Sequence, residues 1–140
     1  MKKIFFTTVV LMLCCVCLCS LVSCGGIKGD EAKAYVNDFL AAVEAEDYDA
    51  AEGMLHPERP GDLKEFFENV EKKEDVDFQS GIEIEKYTGF RSAVYDSTID
   101  GSSYELTMRV KVGNSDKTVV LTIEIVKNDK GYGIYNIELG

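Results

Sequence analysis

Tyr104-Glu105-Leu106-Thr107-Met108-Arg109-Val110-Lys111-Val112 alternates apolar and polar side chains without a break, and Val119-Val120-Leu121-Thr122-Ile123-Glu124-Ile125 repeats the pattern. Successive side chains on a strand point to opposite faces, so each stretch has one apolar face and one mixed face. Two such stretches in succession indicate antiparallel, half-buried strands. Upstream, Asp100-Gly101 is a two-residue hairpin signal. Pairing Ile99 with Ser102 there sets Tyr95 opposite Leu106 and Ala93 opposite Met108. Downstream, Gly113 to Lys117 makes a turn, and pairing Val112 with Val119 sets Val110 on Leu121 and Met108 on Ile123. Asn128-Asp129-Lys130-Gly131 is the last turn. Its parity brings Tyr135, Ile137 and Leu139 inward only with a bulge or an odd loop. An earlier strand runs from about Gly81 to Arg91, with Ile82 and Ile84 inward. The sum is a meander of four or five strands.

Before Gln79 the period is helical. Ala32, Tyr35, Val36, Phe39, Leu40 and Val43 recur at spacings of three and four. Asp30 is the expected N-cap, and the helix should end near Glu46. Tyr48-Asp49 opens a short second helix with Ala51 and Leu55 inward, stopped by Pro57 and Pro60. Asp62 caps a third, with Leu63, Phe66, Phe67 and Val70 inward.

The first residues read as an address. Lys2-Lys3 precedes an apolar run from Ile4 to Cys19, too short to span a bilayer but suited to a signal segment. The run ends at Leu21-Val22-Ser23-Cys24-Gly25-Gly26. This order closely resembles the lipobox of bacterial lipoproteins. The resemblance implies diacylglyceryl transfer to Cys24 and cleavage by signal peptidase II between Ser23 and Cys24. Residues 1–23 would then be the signal peptide, 24–29 a lipidated tether and 30–140 one domain. All 5 cysteines lie at or before Cys24, so the exported domain would have no thiol for a disulfide or a nucleophile.

Helices followed by a meander give an α+β fold, with three N-terminal helices packed on one face of a curved four- to five-stranded sheet. This order, with Phe39-Leu40, Glu46 to Ala51 and Leu55-His56-Pro57, resembles the nuclear transport factor two-like (cystatin-like) superfamily, as in small bacterial lipoproteins of unassigned function. The resemblance implies a cone between helices and sheet, which Tyr35, Phe39, Tyr87, Tyr95, Tyr104 and Tyr135 could line. Enzymes of that superfamily, such as ketosteroid isomerase and scytalone dehydratase, place acids, Tyr or His in the cone. Here the inward positions of the two clearest strands, Tyr104 to Val112 and Val119 to Ile125, carry no acid or base.

No catalytic, cofactor or metal motif emerges. His56 is the single histidine and reads as a structural residue near helix-terminal carbonyls. Glu44, Glu46, Asp47, Asp49 and Glu52 lack the order of a calcium loop. The net charge of −10 disfavours nucleic acid. Asp30 to Glu85 holds 18 acids against 5 bases, and Lys86 to Gly140 holds 7 of each.

The expectation is therefore an exported, lipid-anchored envelope protein on the outer face of the cytoplasmic membrane, or on the periplasmic side or outer membrane of a diderm cell. Its domain would be a non-enzymatic binding or accessory module for an envelope protein or a small ligand. The alternatives are a small-molecule or catalytic cone and an immunity-like or structural partner. The outer sheet face, with Thr107, Arg109, Lys111, Val120, Thr122, Glu124 and Val126, could pair two copies into a homodimer.

Overall fold

The computed structural model describes residues 25–59, 61–114 and 116–140. The signal segment, the Ser23–Cys24 cleavage site, the lipidation site Cys24 and Pro60 lie outside them. The described residues form helices α1 (Gly29–Glu44), α2 (Tyr48–Glu52) and α3 (Leu63–Glu74), a 3-10 turn (Phe78–Ser80), and strands β1 (Ile82–Asp96), β2 (Gly101–Val112), β3 (Thr118–Asn128) and β4 (Gly131–Leu139). The strands make a single antiparallel sheet in the order β1-β2-β3-β4.

The architecture is α+β, but the expected arrangement of three N-terminal helices on a nuclear transport factor two-like cone is corrected. The first described helix begins at Gly29, so the described helices do not start at the chain's first residues. The sheet has four strands, because the two pieces expected before Asp100 are one continuous strand, Ile82–Asp96. Where a cone would lie open, Phe39, Phe67, Phe78, Leu106, Met108 and Leu121 are fully buried in one apolar core.

The helices form where the pattern is helical, and the caps follow the chemistry. The α1 side chains Ala32, Val36, Phe39, Leu40 and Val43 are buried. Its N-cap is Lys28, which makes no side-chain cap bond, so Asp30 falls inside the first turn, where a carboxylate favours the positive helix end. Asp47 and Asp62 cap α2 and α3, accepting hydrogen bonds from the Ala50 and Glu65 amides. Phe67 sits at the centre of the helix–sheet core, with ring edges on Phe66 at 5.1 Å and Phe78 at 5.2 Å.

Strand faces agree with the alternation, but both expected hairpin registers are corrected. On β2–β3, Val110 pairs with Val119 and Met108 with Leu121, two residues from the expected pairing. The ladder persists until the Val112 amide bonds the Lys117 carbonyl. Gly113, at φ 64°, opens the shorter turn. A two-residue slip preserves the buried face, which is why alternation alone could not exclude it.

On β1–β2, Asp96 pairs with Gly101 and Ala93 with Ser103. The turn is Ser97 to Asp100 rather than Asp100-Gly101. The Asp96 carboxylate accepts from the Thr98 amide and hydroxyl, which builds this longer turn. Three register shifts along β1 add further offset. On β4 the required bulge is present: Asn136 pairs with Glu124 and Ile134 with Ile125, leaving Tyr135 as the extra residue. Ile134, not Tyr135, points into the core.

The outer sheet face places Glu105 directly opposite Glu124 and Thr107 opposite Thr122, but Val126, expected on that face, is fully buried where the alternation of β3 breaks. The threonine hydroxyls lie 3.1 Å apart. Partial burial pushes the Glu124 carboxyl up, and the Glu105 charge adds to it. A carboxyl raised in the folded state holds its proton more tightly there than in the unfolded chain. It therefore weakens the fold above the raised value and ceases to do so as pH falls to the ordinary glutamate range. Glu124→Gln is expected to raise the urea midpoint at pH 7 and to show no gain near pH 4. Paired urea titrations at the two pH values check this.

Candidate functional site

The site is built on the edge strand β4 and the loop that follows α2. The His56 amide donates to the Ile134 carbonyl at 2.8 Å, and the Ile134 amide donates to the Met54 carbonyl at 2.9 Å. Leu55 thus makes a one-residue parallel bridge to Ile134. Gly133 permits this approach, since a Cβ there would lie 2.6 Å from the His56 nitrogen and the Leu55 carbonyl carbon. The Tyr35 hydroxyl also donates to the Met54 carbonyl, at 2.8 Å.

His56 is fully buried beneath this loop. The Glu58 amide donates to Nδ1 at 3.2 Å, so Nδ1 is the acceptor and Nε2 carries the proton. Nε2 faces Asn128 Oδ1 at 3.0 Å and donates to it. Asn128 Nδ2 in turn donates to Glu58 Oε2 and the Ile99 carbonyl, each at 2.9 Å. Its Oδ1 also accepts from the Lys130 and Gly131 amides. The cluster ties the α2–α3 loop to two sheet turns. Both imidazole nitrogens are committed to structural bonds, and the partners are an amide and Asn128 rather than the expected helix carbonyls.

Past Ile134 the edge of β4 opens into a groove of about 380 Å³. Leu55, Leu63, Phe66 and Ile137 supply its apolar wall, and Glu58, Arg59, Asp62 and Asn136 its polar margin, with Tyr135 between them. Arg59 Nε donates to the Tyr135 carbonyl at 3.3 Å, and the guanidinium stacks 4.9 Å from the Tyr135 ring centroid. The bulge at Tyr135 turns that residue out of the core and into the groove.

No family model, curated protein or solved structure matches this chain.

The site is thus defined by its own geometry. The residues expected to line one cone do not share a cavity. Phe39 is core. Tyr35 packs edge-on against Tyr132, 5.0 Å between centroids. Tyr87 lies beside Phe90 under Lys33. Tyr95 is 65% exposed, Tyr104 abuts Gly29, and Tyr135 is in the groove. Among the described residues no group of three His, Cys, Asp or Glu side chains is placed to hold a metal ion.

The sequence reading missed the groove and Asn128. One partial signal was available: Phe66 and Phe67 are adjacent on a helix, about 100° apart, so they point in different directions. Phe67 is buried and Phe66 only half-buried.

Beside the groove loop, the Tyr132 hydroxyl is buried and has no hydrogen-bond partner. Burial pushes its pKa up to about 12. An unsatisfied buried hydroxyl costs about 1–3 kcal/mol. Tyr132→Phe is expected to stabilise the fold by about 1 kcal/mol, read as a rise in the urea midpoint.

Proposed function

We propose that the chain is a lipid-anchored envelope protein whose domain binds an extended segment of another envelope protein in the β4 groove. The observation that carries the binding reading is the pairing of an open sheet edge with an apolar wall. Such an edge offers backbone hydrogen bonds to an added strand, and adjacent pockets select its side chains. Leu63, Phe66 and Ile137 suit aliphatic or aromatic side chains. The anchor reading rests on the Leu21-Val22-Ser23-Cys24 order. Among the described residues no helix is long and apolar enough to cross a membrane.

Peptides selected on the full chain should be extended and apolar. They should move the amide signals of Tyr135, Asn136 and Ile137. Phe66→Asp should weaken them by at least about tenfold, as loss of a central aromatic anchor does. Selected peptides that bind Phe66→Asp equally well would overturn the groove assignment.

A further inference from the structure

The described chain begins against an exposed apolar end of the sheet. A Cβ on Gly26 would lie 3.4 Å from both the Cα and the Cγ2 of Val94. Ile27 is tucked into the core, and Gly29 packs against the Tyr104 hydroxyl. Val94 is 74% exposed, Tyr95 65% and Phe90 55%, and these are the large hydrophobic side chains exposed among the described residues. All three fall in the last seven residues of β1, an edge strand.

The surroundings mix apolar, cationic and acidic groups: the Tyr95 hydroxyl donates to the Asp100 carboxylate at 2.8 Å, and Asp30 and Glu31 are exposed beside the tether. Lys33 Nζ sits 5.0 Å from the Tyr87 ring centroid and 5.1 Å from that of Phe90. Lys28 is exposed within the tether. Aromatic rings flanked by lysines are favoured at headgroup depth, where the rings bury and the ammonium groups stay wet. The opposite end is different. Helix α1 has 16 residues and is therefore about 24 Å long. It ends at Glu44, whose carboxylate accepts from the Ile82 amide at the start of β1. Glu46, Asp47 and Asp77 lie near that end and are exposed, while Asp75 there is paired with Lys117 and Lys72 and Lys73 are exposed nearby, so that end presents charge and no apolar side chain comparable to Val94 or Phe90.

We propose that the Phe90–Tyr95 end of β1 rests on the lipid surface beside the acylated Cys24, with the acidic end of α1 pointing away from the bilayer. This rests on the lipid-anchor reading. The position of the chain end selects lipid over a second copy along the same edge. Cys24 precedes Gly26 by two residues, a reach of at most about 7 Å, so acyl chains on Cys24 bring the bilayer to Val94.

The chain contains no tryptophan, so a single introduced Trp reports alone. Full chains carrying Tyr95→Trp or Asn114→Trp would be purified from membranes and placed in phosphatidylcholine–phosphatidylglycerol vesicles containing brominated lipid. Asn114 is exposed in the turn after β2, at the opposite end of the sheet. Quenching at position 95 should exceed that at position 114 by about threefold or more, given an interfacial depth of ~5–10 Å. Adding Phe90→Ser and Val94→Asp to Tyr95→Trp should bring quenching down to the position-114 level, with sedimentation on vesicles unchanged. Equal quenching at the two sites in vesicle-bound protein would overturn the orientation and leave the anchor standing. So would weak quenching at position 95 with a concentration-dependent blue shift, the sign of a second copy. A parent chain that does not sediment with vesicles would overturn both.

Discussion

Gly133→Ala should cost about 3 kcal/mol, the upper part of the range for forced overpacking. The added Cβ would stand 2.6 Å from the His56 nitrogen and the Leu55 carbonyl carbon, and 2.8 Å from the Leu55 oxygen. All three are backbone atoms, so no side-chain rotation relieves the contact. The loop must lift from β4, and both backbone bonds to Ile134 then break. Each contributes about 1 kcal/mol. Lifting also uncovers His56 and removes the Leu55 wall of the groove. Against a total stability of about 5–15 kcal/mol, this is a large share. Urea unfolding measures the loss, and amide exchange at Ile134 should accelerate. A change below about 0.5 kcal/mol, the size of an ordinary surface substitution, would contradict this account of the loop.

Cys24→Ala should have an all-or-none effect on acylation. In the proposed pathway the Cys24 thiol receives the diacylglyceryl group, and cleavage before it follows. Without the thiol neither step proceeds, so the chain keeps its full signal segment or is released without lipid. Two acyl chains anchor stably because each buried methylene contributes about 0.8 kcal/mol. Metabolic fatty-acid labelling reads the result: no label on the variant, whether it keeps the signal segment and stays in the detergent phase or is released to the aqueous phase. Label that survives Cys24→Ala would refute acylation at this residue.

What the sequence made legible was what one periodicity fixes locally. Phe39 and Val43 on α1, Asp62 as the α3 cap, and Leu106 or Ile123 on the buried sheet face all lie where spacing put them. Registers were harder, because a slip of two residues keeps every apolar side chain on the same face. The actual β1–β2 turn depends on the Asp96–Thr98 bonds, which compete with the stronger-looking Asp100-Gly101 signal. The cone failed for another reason. Tyr35 is on helix α1, and bulges and strand edges send Tyr87, Tyr95, Tyr104 and Tyr135 to different surfaces. The groove was invisible because it joins Arg59 and Phe66 to Tyr135 and Ile137 across some seventy residues of chain. His56 was read as structural, yet its partner Asn128 could only be found in the fold.

The anchored state is the premise for both the partner groove and the orientation of β1, so the mass of the mature protein tests the account most directly. The chain would be expressed in a bacterium and purified from the membrane fraction, and its intact mass and N-terminal peptide recorded. The account predicts loss of residues 1–23 from the 140-residue chain and a diacylglyceryl group on an N-terminal Cys24. A membrane-bound chain that retains residues 1–23 with Cys24 unmodified would contradict it.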